Sequence, residues 1–68
     1  MNMYVNGQKL TSNLHYQDHL NAVIPVQVYY QNHHKDIGFI EIYSPHFVKI
    51  NHTFYNRKTH VFLSRPGY

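Results

Sequence analysis

Positive charges and flat rings lie close together near the C-terminal end of the chain. Arg57 and Lys58 are adjacent, Tyr55 and His60 flank them, and Arg65 follows. Lysine and arginine neutralise phosphates, and aromatic rings stack on bases. These five residues are therefore the candidate nucleic-acid-binding residues. The alternative interpretation is a solvated basic tail.

The net charge of the chain comes entirely from this end. The sequence has 68 residues and a formal net charge of +3. Within residues 1–50, three lysines balance three carboxylates: Lys9, Lys35, Lys49, Asp18, Asp36 and Glu41. A basic end on a neutral body favours an anionic partner at that end.

Histidines are the next residues that could do chemistry, and there are seven of them. His15 and His19 are four residues apart, a spacing that would point both rings at one metal ion from a helix. A zinc site needs at least three protein ligands, and no cysteine or suitably spaced carboxylate completes this pair. We therefore expect polar, exposed histidines with no metal site. Because free histidine protonates near pH 6.5, binding of an anion should strengthen in mild acid.

Catalysis is not favoured by these residue types. The chain has no cysteine nucleophile and only three carboxylates for acid–base work. Its three glycines are scattered, so no loop can cradle a phosphate. We expect a non-catalytic protein with no catalytic residues and no cofactor.

The length of the chain predicts a single domain over residues 1–68. A domain this short has a marginal core, and without cysteine it cannot be strengthened by disulfides. This favours a homo-oligomer formed by pairing of edge strands. No run of about 18 apolar residues and no signal peptide is apparent, so we expect no membrane partner and a cytoplasmic location.

Period-two alternation of apolar residues predicts strands over residues 26–65. A turn is expected in the polar run 32–36, another at 44–46 and a third at Asn51-His52, which leaves five strands: 26–31, 38–42, 48–50, 53–55 and 60–64. Gly38 lies inside one run and marks a bend. The expected core face holds Val26, Val28, Ile40, Ile42, Val48, Ile50, Val61 and Leu63.

A short helix is predicted within residues 12–24, ahead of the strands. Tyr16, Leu20, Val23 and Ile24 fall on one helical face. Thr11, Ser12 or Asn13 can cap its start, and Pro25 prevents its continuation. Residues 3–10 are expected to form a short strand and a turn at Asn6-Gly7.

Four aromatic residues alternate with the expected core residues and are candidate interface residues. They are Tyr29, Phe39, Tyr43 and Phe47. Three interpretations are open: a second, minor core under the N-terminal segment, a subunit interface, or a stacking surface for bases.

The stretch Val26–Ile50 resembles the first signature of the Sm/LSm small barrels, in particular the bacterial Hfq type. The similarity lies in the alternation of Val26–Tyr30, the turn at Asn32, Gly38, and the return Phe47–Ile50. Upstream, Gln17–Asn21 is similar to the glutamine-aspartate helix of that group. The resemblance implies a strongly bent, five-stranded antiparallel barrel that forms rings and binds single-stranded RNA.

The chain also departs from the pattern of that group. His33 replaces a turn glycine, Ser44 replaces an aspartate, and Asn56-Arg57-Lys58 stand where the group has a lysine-histidine pair after the position matched by Tyr55. In such rings this connector lines the central pore, so the resemblance places Arg57 and Lys58 there.

A second resemblance concerns composition alone. Small basic proteins rich in tyrosine, histidine and asparagine are similar to coat components of bacterial spores. The alternative function is therefore a structural protein that assembles with itself or with other coat proteins through an exposed aromatic face, and its alternative location is the spore coat.

Overall fold

The computed structural model describes residues 4–68. Within them the chain is mainly β with one short N-terminal helix, which confirms the expected fold class at that level. The elements are α1 (Asn13–Asn21), β1 (Val26–Tyr30), β2 (His33–Gly38), β3 (Ile40–Tyr43), β4 (Phe47–Ile50), β5 (Thr53–Asn56) and β6 (His60–Ser64). The strands form two antiparallel sheets of three: sheet one, in the order β2-β1-β6, and sheet two, in the order β3-β4-β5.

Helix α1 begins after Ser12, which caps it. Ser12 Oγ accepts a hydrogen bond from the His15 N–H, and His15 Nδ1 accepts one from the Ser12 N–H, each at 3.3 Å. The helix ends at Asn21, earlier than expected, because Val23 takes a positive φ of 54° and is exposed. No helix within residues 4–68 is long and apolar enough to cross a membrane.

The first hairpin differs from the expectation of a polar turn over residues 32–36. The turn consists of Gln31 and Asn32, with φ values of 48° and 66°, and the following polar residues form strand β2. Positive φ at both central residues is the geometry of a type I′ hairpin. Residues 33–35 are exposed on this outer strand, so no apolar alternation could reveal it. The count of five strands was therefore wrong, and the described residues contain six.

Gly38 is the point at which the chain passes from one sheet to the other, which confirms the expected bend. Gly38 is paired with Val26 in sheet one, while Ile40 is paired with Ile50 in sheet two. A Cβ at Gly38 would lie 2.8 Å from Asn51 Nδ2. Glycine is needed here because the Asn51 side chain crosses the bend and donates to Asp36 Oδ1 and to the Ile37 carbonyl.

The turns of sheet two lie where the sequence predicts them. Ser44 Oγ accepts hydrogen bonds from the N–H groups of His46 and Phe47, which closes the turn between β3 and β4. Asn51 and His52 both have positive φ, 50° and 64°, and form a two-residue turn between β4 and β5.

The inner faces of both sheets meet in one core. Its buried apolar members are Leu10, Tyr16, Val26, Val28, Ile40, Val48, Ile50 and Phe62.

Three residues assigned to the core face from the sequence lie elsewhere. Ile42 is 53% exposed, because a bulge between Ile40 and Ile42 turns it outward. In β6 the residue that faces the core differs by one position from the expectation. Val28 is paired with Phe62, so Phe62 is buried, whereas Val61 is exposed and Leu63 is half-buried.

The N-terminal segment adds to the edge of sheet one. The predicted turn at Asn6-Gly7 is present, with a φ of 88° at Gly7. The Gly7 N–H then donates to the Ser64 carbonyl at 2.7 Å, the Ser64 N–H donates to the Gln8 carbonyl at 2.7 Å, and the Leu10 N–H donates to the Phe62 carbonyl at 2.8 Å. Met3, where the predicted N-terminal strand starts, lies outside the described residues.

The expected closed barrel is not confirmed. Within residues 4–68 the outer strands are β2 and β6 in sheet one and β3 and β5 in sheet two, and no ladder joins the two sheets. The five-stranded Sm-like barrel therefore stays a prediction.

Candidate anion-binding pocket

A pocket of about 370 Å³ opens between the N-terminal segment, the start of α1 and the connector between β5 and β6. It contains three of the six lysines and arginines of the chain and no carboxylate. Its lining residues are Lys9, Leu10, Thr11, Tyr16, Pro45, Arg57, Lys58, His60 and Val61. The fold thus gathers positive charge around an open cavity.

Lys9 and Lys58 are the exposed cations of the pocket. Within residues 4–68 the carboxylate contacts of basic side chains are those of Glu41 with Lys49 Nζ, at 4.0 Å, and with His52 Nδ1, at 3.2 Å. Neither pocket lysine therefore has a carboxylate partner in the described part of the chain. Their ammonium groups are available to a bound anion.

Arg57 forms the rear wall of the pocket and holds three segments together. Its Nη1 donates to Asn13 Oδ1 and to the Ser44 carbonyl, both at 2.7 Å, and its Nη2 donates to the Thr11 carbonyl at 3.4 Å. The guanidinium carbon also lies 4.2 Å from the centroid of the Tyr16 ring. Burial raises the pKa of Tyr16, and the positive charge of Arg57 opposes that rise only in part.

His60 supplies a ring and a free nitrogen at the edge of the pocket. Its Nδ1 lies 2.9 Å from Thr59 Oγ1 and 3.0 Å from the Asn56 carbonyl oxygen, and because the carbonyl can only accept, this contact favours the tautomer with the proton on Nδ1. Nε2 is then the nitrogen left for a ligand. The ring lies 5.1 Å from the Tyr30 ring and 5.3 Å from the Tyr55 ring, centroid to centroid.

Tyr55 supports His60 and connects the two sheets. Its hydroxyl, on β5, donates to Asp36 Oδ2, on β2, at 2.6 Å. Burial and this bond raise the pKa of Tyr55 to about 12. Partial burial would raise the pKa of Asp36, but the hydrogen bonds from Tyr55, Asn51 and the Ile37 N–H outweigh it and lower that pKa.

Arg65, the fifth predicted site residue, lies apart from the pocket. Its Nε donates to Gln27 Oε1 at 2.6 Å, and its Nη1 donates to Asn6 Oδ1 at 3.3 Å. The structure thus brings together Arg57, Lys58 and His60, with Tyr55 behind them, and adds Lys9. Lys9 was not predicted as a site residue, because its positive charge was counted as balanced by the three carboxylates, none of which lines the pocket.

The four aromatic residues predicted as an interface do not form one row. Phe39 is 51% exposed at the bend between β2 and β3. Tyr43 packs against the core and donates from its hydroxyl to Gln17 Oε1 at 2.7 Å. Tyr29 is half-buried beside His34, and Phe47 contacts Phe54 edge-on, with the centroids 4.9 Å apart.

The outer face of sheet two carries Ile42, which was expected in the core, and Phe54, which the sequence did not single out. Ile42 is paired with Lys49, and Lys49 with Phe54, so the three side chains follow one another across the sheet. Phe54 is 58% exposed, and Lys49 Nζ lies 5.2 Å from the centroid of its ring. The predicted strand over residues 53–55 could have revealed Phe54, because successive side chains of a strand point to opposite faces of the sheet. Phe54 therefore faces away from the side that Thr53 and Tyr55 share.

His15 and His19 are held by the fold instead of pointing at a common ion. His19 is 1% exposed, its Nδ1 lies 2.7 Å from the His15 carbonyl, and its Nε2 lies 2.7 Å from Ser64 Oγ. Burial lowers the pKa of His19. The expectation of exposed histidines was therefore wrong for His19. Within residues 4–68 no group of three potential metal ligands comes together.

Comparison of the chain with protein-family models, with curated proteins and with solved structures gave no match.

Proposed function

We propose that this protein is a non-catalytic module that binds single-stranded RNA at the basic pocket. The observation that carries the proposal is the grouping of Lys9, Arg57 and Lys58 around one cavity with no carboxylate in its lining. Phosphates bind to lysine and arginine largely through charge, and uncompensated lysines offer the strongest attraction. Lys9 and Lys58 contact phosphates, and Arg57 holds the rear wall in place.

The rings beside the cations favour a nucleic acid over a simple anion. A single strand exposes its bases, and aromatic side chains stack on them without regard to sequence. His60, with Tyr30 next to it, lies at the edge of the pocket. The volume of about 370 Å³ falls within the range of small-ligand sites and suits one nucleotide.

The Sm-like barrel is part of this proposal. Only Phe39 separates β2 from β3, and the inner faces of the two sheets share one core. Counting β2 and β3 as one strand bent at Gly38 leaves five strands, the number that the resemblance implies. This arrangement supports the interpretation of the two sheets as halves of a strongly bent small barrel.

Salt dependence tests the RNA-binding proposal. Replacing Lys9 and Lys58 with alanine removes two phosphate contacts, so the slope of log affinity against log salt should become shallower by about 1.4. Anisotropy of a labelled uridine-rich oligomer, measured over a salt series, reports this slope. The matched control is Lys35→Ala with Lys49→Ala, which removes the same charge outside the pocket lining.

Two results would overturn the proposal. One is a wild-type protein that does not bind the oligomer at low salt. The other is an equal change of slope in both double variants, which would show that the RNA senses the net charge of the whole protein and not this pocket.

Exposed apolar side chains support a second candidate function, a structural protein that assembles with itself or with coat proteins. Phe39, Ile42 and Phe54 are each more than half exposed. Assembly driven by such residues grows with protein concentration and is indifferent to RNA and to salt. Light scattering that rises with protein concentration and is unaffected by salt and by added RNA would favour this function over RNA binding.

A further inference from the structure

Strand β5 has a free edge. Within residues 4–68 it pairs with β4 alone, in a hairpin closed by the two-residue turn Asn51-His52. The residues that flank such a turn, Ile50 and Thr53, form a pair in which each N–H donates to the carbonyl of the other. Along β5, successive residues then direct their N–H and C=O groups alternately toward β4 and away from it. The N–H and C=O groups of Phe54 therefore point away from β4, toward solvent.

The other outer strands are protected from pairing. β6 already bonds through Phe62 and Ser64 to residues 7–10. β2 carries His33, His34, Lys35 and Asp36, which are polar or charged residues of the kind that discourages edge pairing. β3, the other outer strand of sheet two, carries the charged residue Glu41. In the described part of the chain, β5 is thus the outer strand with neither a cover nor a charge.

The composition of β5 permits pairing with the same strand of a second copy. Its residues, Thr53 to Asn56, include no charge and no proline, so two such edges do not repel each other. The nearest charge across the sheet is Lys49, which is paired with Glu41. Two copies related by a twofold axis would bring together neutral edges with a balanced ion pair on each side.

We propose that two copies of the chain pair their β5 strands antiparallel and form a dimer with one continuous six-stranded sheet. A twofold axis perpendicular to the joined sheet keeps the cores of the two copies on the same face of that sheet. At this axis, one residue of β5 lies directly opposite the same residue of the other copy. Phe54 satisfies this condition, because its backbone groups point outward. The Phe54 rings of the two copies then lie side by side on the outer face and cover each other.

This geometry differs from head-to-tail growth. Head-to-tail pairing of β5 of one copy with β6 of the next is blocked, because residues 7–10 already occupy that edge of β6. Pairing of β5 with β5 uses the same surface on both copies and closes after two. The dimer is independent of RNA binding, so either proposal can fail without the other.

Sedimentation equilibrium without nucleic acid tests the dimer, with Phe54→Lys as the disrupting variant and Phe39→Lys as its matched control. Both side chains are about half exposed, at 58% and 51%, so both variants should fold, which circular dichroism checks. We expect twice the 8.2 kDa chain mass for the wild type and for Phe39→Lys, and a monomer for Phe54→Lys at the same concentration. Hydrogen exchange of the wild type should show the Phe54 N–H becoming protected as the protein concentration rises.

Three results would overturn the inference. They are a wild-type monomer at several hundred micromolar, an assembly larger than a dimer, and a dimer that Phe39→Lys disrupts while Phe54→Lys leaves it intact. Should Phe54→Lys fail to fold, the exchange measurement decides alone, because a Phe54 N–H that exchanges equally fast at all concentrations contradicts the pairing.

Discussion

Arg57 and Lys58 are adjacent and carry the same charge, but the fold gives them different tasks. The guanidinium of Arg57 donates to the Asn13 side chain and to two backbone carbonyls, and it stacks on Tyr16. Planar donors arranged as a fork can serve several acceptors at once, which a single ammonium cannot do. Lys58 is exposed, and within residues 4–68 its backbone N–H donates to Asn56 Oδ1 while its ammonium group has no ion-pair partner.

This difference predicts different effects on stability. Arg57→Lys should lower the free energy of unfolding by about 1–3 kcal/mol, because hydrogen bonds from a charged donor to the segments around it are lost. Lys58→Ala should change it by no more than about 0.5 kcal/mol, as is usual for exposed positions. Urea unfolding of both variants gives the comparison. Equal losses in the two would contradict the role of Arg57 as a clamp.

Helix α1 is attached to sheet one through a buried histidine, which makes this attachment sensitive to acid. The His15 carbonyl can only accept, so His19 Nδ1 carries the proton and Nε2 accepts from the Ser64 hydroxyl. Both His19 and Ser64 are buried. A proton on Nε2 would remove the acceptor that Ser64 uses and would place a charge among buried groups.

We therefore expect stability to fall in mild acid. The pKa of His19 in the folded chain lies below the value of 6.5 that it has when unfolded, so the unfolded chain takes up the proton first. The contribution of His19 is complete above about pH 6.5 and is lost as the pH falls below it. Urea unfolding between pH 7 and pH 5 should show the decline, which His19→Gln reduces. His33→Gln, at an exposed position on β2, should retain it, and equal pH profiles in the two variants would refute the assignment.

At the scale of the whole molecule, the free edge and the basic pocket are neighbours. β5 ends at Asn56, and the chain continues directly into Arg57 and Lys58 of the pocket. A dimer paired through β5 would therefore carry two pockets at fixed positions about its axis. One RNA strand that reaches both would bind more tightly than its single contacts suggest, because the second contact becomes intramolecular.

Oligomer length tests this coupling. The wild type should bind a long uridine-rich strand at least about tenfold more tightly than Phe54→Lys does, whereas a strand too short to reach both pockets should bind equally to the two proteins. Anisotropy titrations at one salt concentration measure both affinities. If the ratio of the wild-type affinity to the Phe54→Lys affinity were the same for short and long strands, dimerisation would make no contribution to RNA binding at the pocket.

Much of the local structure was predictable from particular residues. Asn6-Gly7, Ser44-Pro45-His46 and Asn51-His52 are turns, Ser12 caps a helix, and Gly38 marks a bend. Each depends on the backbone preferences of one or two residues or on a side chain that bonds a nearby N–H. Such effects act over a few residues, so the sequence by itself determines them.

Long-range pairing decided the rest. Whether Val61 or Phe62 faces the core depends on the register of β6 against β1, and a shift of one residue reverses every side chain. Lys9 joins Arg57 and Lys58 because residues 7–10 pair along β6. The outer edge of β5 is open because, within residues 4–68, β5 pairs with β4 alone. These relations join residues far apart in the chain. No local preference encodes them, so only the tertiary structure places the pocket and the open edge.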